Sequence, residues 1–310
     1  MANRRDEFAL IDWIRTQGPS RRSGRVLLGI GDDAALVKAA PRGEILVATD
    51  VLLEGVHFLV PDAKARDVGH KALAVNLSDL AAMAARPTVA VVGVAFRRGL
   101  GDAFAQDLLQ GLLDLATQWS VDLVGGDTCI WEGPTTVCVT VLGEPTGRGV
   151  VRRSGARPGD FLFVTGQLGG SSSGKHLRFR PRIEEAIALH AEAELHAMID
   201  ISDGLVADLN HILTESGVGA ILEAEQIPIS RAAHELEDGR TPLEHALSDG
   251  EDFELLFAVA PEDARRLLAA PPCEVPLSHI GRIVSGADCQ LRQSDGTLRR
   301  LDATGWRHRF

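Results

Sequence analysis

The apolar positions of this chain follow two rhythms, short alternating or continuous runs of β type and longer stripes at helical spacing, and carboxylates gather where one rhythm gives way to the other. Phe8, Ile11 and Ile14 are spaced as on one helix face and Gly18-Pro19 stops the pattern, which predicts a short opening helix over 6–15. Runs 26–30 and 45–49 read as strands ending in Asp32-Asp33 and in Asp50. Residues 67–85 carry helix formers with no Gly or Pro after Gly69, so a long helix is expected. A strand over 88–96, an amphipathic helix over 102–118, a strand over 121–124 broken by Gly125-Gly126 and a strand over 135–142 complete the first half.

Segment 143–159 holds Arg148, Arg152, Arg153 and Arg157, two prolines and several glycines, the composition of a linker. The expected domains are 1–145, of α/β type, and 146–310, of α+β type. The second half reads as a strand over 160–165, a Gly/Ser loop over 166–174, and a helix over 203–216. Leu205, Leu209, Ile212 and Leu213 share one face of that helix and Gly217 ends it. A strand over 253–259, a helix over 261–270 and short strands near Ile280 and Leu291 follow.

Two domains also suit the length of 310 residues. The net charge of -11 argues against a nucleic-acid partner, because phosphate backbones are bound by clustered Lys and Arg. No run of about 18 apolar residues is present, and acids interrupt the apolar stretch of MANRRDEFALIDWIRTQG. The expectation is a cytoplasmic protein with no membrane partner. Cys129, Cys138, Cys273 and Cys289 lie far apart with no CxxC pair, which disfavours zinc and a disulfide framework.

The acids carry the chemistry. Asp32, Asp33, Asp50, Asp127, Asp200 and Asp203 each stand where an apolar strand is expected to turn, and several loops offering one or two carboxylates suit a hard divalent cation. Asp79 lies inside the apolar helical stretch 74–83, where a carboxylate needs a metal or a cation such as Lys71. Gly125-Gly126-Asp127-Thr128 allows close approach of backbone N–H groups to phosphate. Ser202 or Asp203 is expected as the N-cap of the helix that follows. Gly169 to His176 nearly matches a P-loop, but His176 stands where Ser or Thr would bind Mg²⁺, and Arg180-Pro181 cuts the following helix short. That loop is therefore expected to be a flexible segment bordering a cleft.

The strings GIGDDAA (29–35), TDVLLEGVHF (49–58), KALAVNLSDLAAMAA (71–85), GGDT (125–128), RRSGARPGD (152–160), IDISDGLVADLNHI (199–212) and DGEDFEL (249–255) occur in this order. As a set they resemble the thiamine-monophosphate kinase family, within the superfamily that includes aminoimidazole ribonucleotide synthetase. The resemblance implies a two-domain fold dimeric through its N-terminal sheets, with ATP as co-substrate, several Mg²⁺ ions and thiamine monophosphate as acceptor. It implies metal ligation by Asp33, Thr49, Asp50, Asp79, Asp127, Asp200 and Asp203, with Asp79, Asp127 and Asp200 catalytic. Nucleotide contacts fall on Gly125, Gly126, Arg153 and Ser202, and substrate contacts on His57, Glu251 and Trp306. Asp249 replaces a glycine of the family's Gly-Gly-Glu-Asp, which puts another charge beside the substrate pocket. Another ATP-dependent enzyme of the superfamily, of ligase or dehydratase type, and a non-catalytic nucleotide-binding relative are the alternatives.

Overall fold

The computed structural model describes residues 13, 25–28, 36–38 and 43–302. Asp32, Asp33 and Trp306 lie outside them, as does all of the opening helix but Trp13. The chain forms two compact units, one of residues up to Leu80 with Arg86–Glu144, the other of Ala81–Ala85 with Pro145 onward.

In the first unit β1 (Val26–Leu28) pairs antiparallel with β2 (Leu36–Val37). The remaining elements run β3 (Leu46–Leu53), α1 (Ala65–Ala82), β4 (Ala85–Arg97), α2 (Asp102–Gln118), β5 (Asp122–Trp131) and β6 (Thr136–Pro145). They build a four-stranded sheet of order β3-β6-β4-β5. β3 and β6 are antiparallel, whereas β4 and β5, joined through α2, are parallel. Leu73, Leu77 and Leu80 of α1 and Leu108 and Leu112 of α2 are fully buried. The two helices approach so closely that a Cβ on Gly69 would stand 1.7 Å from the Leu108 carbonyl oxygen, and one on Gly111 would stand 1.9 Å from that of Arg66.

Two strands run further than expected. β3 continues through Asp50 to Leu53, because Val51-Leu52-Leu53 pair with β6 without interruption. β5 continues through Gly125, Gly126 and Asp127 to Trp131. Gly126 is no breaker here: a Cβ would lie 2.0 Å from the Val92 carbonyl oxygen, so glycine is what lets β5 lie against β4. Asp50 and Asp127 are thus mid-strand residues, not turn residues.

The second unit contains β7 (Phe161–Thr165), a 3₁₀ turn (Ser171–Ser173), α3 (Lys175–Arg178), α4 (Ile183–Glu192), β8 (Leu195–Asp200), α5 (Leu205–Ser216) and β9 (Gly219–Glu223). After these come α6 (Arg231–Glu235), α7 (Pro242–Ser248), β10 (Leu255–Val259), α8 (Pro261–Ala269), β11 (Leu277–Val284), β12 (Cys289–Arg292) and β13 (Leu298–Leu301). The sheet order is β13-β12-β9-β11-β7-β10-β8, antiparallel except for β9 beside β12. Leu205, Leu209, Ile212 and Leu213 of α5 pack with Ile199, Leu256 and Ala258 of the sheet in one core. Each fully buried Leu or Ile of this kind contributes roughly 2 kcal/mol. Gly217, in the left-handed conformation, ends α5 as the sequence predicts. No helix among the described residues is long and apolar enough to cross a membrane.

Candidate functional site

In the first unit the alternation of β3 places Asp50, with Ala48 and Leu52, on the less exposed face of the strand. Asp50 shares a side-chain hydrogen bond with Asp79 of α1, and burial pushes its carboxyl above the usual carboxylate range. The structure thus joins two acids that are 29 positions apart. Two carboxyl groups in contact share a proton or a cation. Lys71, fully buried, donates through Nζ to the His57 carbonyl oxygen at 2.9 Å. The His57 ring accepts the Leu53 N–H through Nδ1 at 3.0 Å, so the neutral ring carries its proton on Nε2.

Thr49 precedes Asp50 and so faces the other way. Its hydroxyl bonds across the ladder to Thr140 Oγ1 at 2.9 Å and the Val139 carbonyl at 3.1 Å. The hydroxyl is therefore not part of the Asp50–Asp79 pair. Asp127, exposed on β5, is separated from β3 by two strands, which is about 14 Å of sheet.

In the second unit β8 ends at buried Asp200, and the chain turns through Ser202 and Asp203 into α5. The N-cap is Gly204, not Ser202 or Asp203, and no side chain caps it. The side chain of Asp208 takes that part instead. Its Oδ2 accepts the backbone N–H groups of Ser202, Asp203 and Gly204 at 3.0, 3.0 and 3.1 Å. Burial, helped by the negative charges of Asp200 and Asp203, pushes the Asp208 carboxyl up to about 8. Asp203, Asp208 and His211 bring ligand atoms within 4.8 Å of one another. Asp208 and His211 escape a residue-by-residue reading, although their i,i+3 spacing just after the Asp203 turn is a legible signal.

The segment from Asp249 to Glu254 lies against this turn. The Glu251 N–H donates to the Ser202 carbonyl at 2.7 Å and the Phe253 N–H to that of Ile201 at 2.8 Å. Asp249 accepts the Gly170 N–H at 2.9 Å and pairs with Arg240 and His245, each at 2.9 Å. The loop after β7, expected to be flexible, is tied by hydrogen bonds at Gly169, Gly170 and Ser171. Both carboxylate oxygens of Asp252 accept the Gly169 N–H, and Ser171 Oγ donates to the Gly250 carbonyl at 2.7 Å. Lys175 pairs at 2.8 Å with buried Glu254, so it is occupied within the protein rather than held out as a phosphate-binding lysine. Arg153 is exposed between the two units' sheet-forming segments in the sequence.

The donors present are carboxylates, a hard oxygen set that fits Mg²⁺. Both crowded groupings, Asp50 with Asp79 and Asp200 with Asp203 and Asp208, concentrate negative charge that a divalent cation would relieve.

Residues 31–144 match the model of the AIR synthase related protein N-terminal domain, and residues 157–293 match that of the C-terminal domain. The thiamine-monophosphate kinase of Rhodopirellula baltica is 40% identical over 97% of this chain and 97% of its own length. Among solved structures, thiamine-monophosphate kinase from Stenotrophomonas maltophilia superposes with a TM-score of 0.80 at 38% identity, covering 94% of this chain and 96% of that one. A structure described as AaThiL complexed with AMPPCP and TMP gives a TM-score of 0.76 at 32% identity, covering 97% and 96%. Identity sustained across both domains, on a shared two-domain fold, establishes that this chain belongs to the thiamine-monophosphate kinase family of phosphotransferases.

Proposed function

We propose that the protein transfers the γ-phosphoryl group of ATP directly and in line to the phosphate of thiamine monophosphate, giving thiamine diphosphate and ADP, with several Mg²⁺ ions. The acceptor is a phosphate monoester with a second pKa of about 6, so it is largely dianionic at neutral pH and needs no general base. The task left to the protein is to align two anions and offset their charge.

Asp50, Asp79 and Asp127 would hold metal in the first unit, and Asp200 and Asp203 in the second, with Asp33 and Thr49 as further ligands. When bound, Mg²⁺ neutralises charge on the phosphates. Gly125, Gly126, Arg153 and Ser202 would contact the nucleotide, and His57, Glu251 and Trp306 the thiamine phosphate. The AaThiL complex with AMPPCP and TMP supports this assignment of co-substrates. More than one ion is favoured because Asp127 stands about 14 Å of sheet from Asp50, too far for one ion to bridge.

The observation that carries the reading is the Asp50–Asp79 contact, since two carboxyl groups brought together within a packed domain share a proton or a cation, and we assign Mg²⁺ as that cation during turnover. The test is ADP release with thiamine monophosphate, with and without Mg²⁺. Release that ignores either component would overturn the proposal.

We also propose a cytoplasmic homodimer formed through the first unit's sheet. Val47, Val51 and Leu53 of β3 and Ile130 and Trp131 of β5 are exposed, Val47 and Ile130 at 64% and 65%. Edge and face apolar groups of this kind suit a symmetric partner. A monomer in sedimentation at micromolar concentration would count against it.

A further inference from the structure

The segment Asp249 to Glu254 carries four acids in six residues and an unusual backbone. Gly250, Glu251 and Phe253 have φ of 76°, 53° and 50°. Left-handed conformations cost a non-glycine residue roughly 1 kcal/mol or more each, and they persist only where surrounding contacts over-determine them.

Those contacts come from two sides. On one, Glu251 and Phe253 donate backbone N–H groups to the Ser202 and Ile201 carbonyls, and Ile201 returns its N–H to the Glu254 carbonyl at 2.8 Å. On the other side stands Glu254, whose side chain is only 2% exposed. Its carboxylate accepts Arg182 Nε at 2.7 Å and Nη2 at 2.8 Å, Lys175 Nζ at 2.8 Å and Thr165 Oγ1 at 2.8 Å. Phe179, between Lys175 and Arg182 in sequence, stacks on Phe253 with centroids 4.0 Å apart. Asp252, 1% exposed, holds the Gly169 amide. The ion cluster is costly to bury, and well-packed apolar residues could fill the same space at little loss of stability, so what it adds is a fixed geometry rather than stability.

We propose that Glu254, clamped by Arg182, Lys175 and Thr165, is a positioning residue: it fixes the left-handed 250–253 turn, and so sets where Glu251 is presented relative to the Ser202–Asp203 turn. This rests on the assignment of Glu251 to the thiamine phosphate. A clamp of this design controls acceptor binding more than the transfer step.

The test uses the full-length protein with Glu254→Asp, which keeps the charge but withdraws the carboxylate, and Lys175→Met, which removes the more exposed cation. In both, the expected result is a KM for thiamine monophosphate raised at least tenfold, kcat within threefold of wild type and KM for ATP within twofold. Hydrogen exchange of the Glu251 and Phe253 amides should speed up at least tenfold. Faster exchange with an unchanged KM for thiamine monophosphate would reduce Glu254 to a purely structural role and overturn the inference. Unchanged exchange in folded variants would overturn it too. Should Glu254→Asp fail to fold, Lys175→Met decides alone. If wild-type protein does not turn over thiamine monophosphate, the functional reading fails, while the exchange measurement still decides whether the clamp fixes the turn.

Discussion

Replacing Asp79 by Asn keeps the side-chain shape and removes one of the two charges that meet between α1 and β3. At a separation of ~3 Å and an effective dielectric near 20, two carboxylate charges repel by about 5 kcal/mol. In the protein without metal a proton shared between the two carboxyl groups relieves that repulsion; burial raises the Asp50 carboxyl above its usual range, while the hydrogen bond with Asp79 acts in the opposite direction. The variant no longer carries the repulsion, so it should be at least as stable as wild type to heat in the absence of Mg²⁺. Its stabilisation by added Mg²⁺ should shrink, because a neutral amide repays a cation far less. Turnover should fall at least a hundredfold, equivalent to about 2.7 kcal/mol of transition-state stabilisation. Thermal melts with and without Mg²⁺ and ADP release at saturating Mg²⁺ are the assays. Activity within fivefold of wild type, or an undiminished Mg²⁺ shift, would refute the argument that this pair exists to hold metal.

Asp127→Ala should lose at least a hundredfold in turnover while melting within a few degrees of wild type, since Asp127 is exposed and its removal opens no cavity. Burial pushes the Asp252 carboxyl up to about 7 from an ordinary 3.8. The native state therefore holds that proton more tightly than the unfolded chain does, and stability should fall as pH rises from about 4 to about 7, by up to roughly 4 kcal/mol. Asp252→Asn should flatten that part of the profile in urea titrations, and an unaltered slope would contradict the assignment. Val47→Lys, on the exposed face of β3, should shift sedimentation toward the monomer without lowering the helix signal in circular dichroism.

The sequence is most legible where one periodicity rules without competition. Helix α2 spans Asp102–Gln118 as its apolar spacing predicts, because Leu108, Leu109, Leu112, Leu113 and Leu115 all face the core. Asp79 stands out for a similar reason, as a charge within an apolar helix. A residue misleads where it has two uses. Gly126 reads as a breaker, yet it lies within a strand because neighbouring backbone occupies the place of its side chain. Asp50 reads as the end of a strand, yet a polar residue is tolerated mid-strand when a partner on the covering helix meets it. The part Asp208 plays toward the backbone of 202–204, and the pairing of Glu254 with Arg182 from 72 positions away, are not legible in the sequence, because backbone groups carry no side-chain signal and distant partners no local one. The Gly/Ser loop after β7 reads as flexible by composition, while its amides are held by carboxylates some 80 positions away.

The crossing of α1 and α2 at Gly69 and Gly111 also acts as a gauge for the face of α1 that meets Asp50. Asp79 lies ten residues beyond Gly69, or ~15 Å along the axis and about a quarter turn around it. The contact at Gly69 is backbone against backbone, with no side chain able to yield, so α1 pivots there on a rigid bearing. A single methyl group inserted at that bearing would tilt the helix, and the tilt would grow along the arm that carries Asp79 away from Asp50. Loss of turnover with every carboxylate still in place can therefore arise at a position that no substrate or ion approaches.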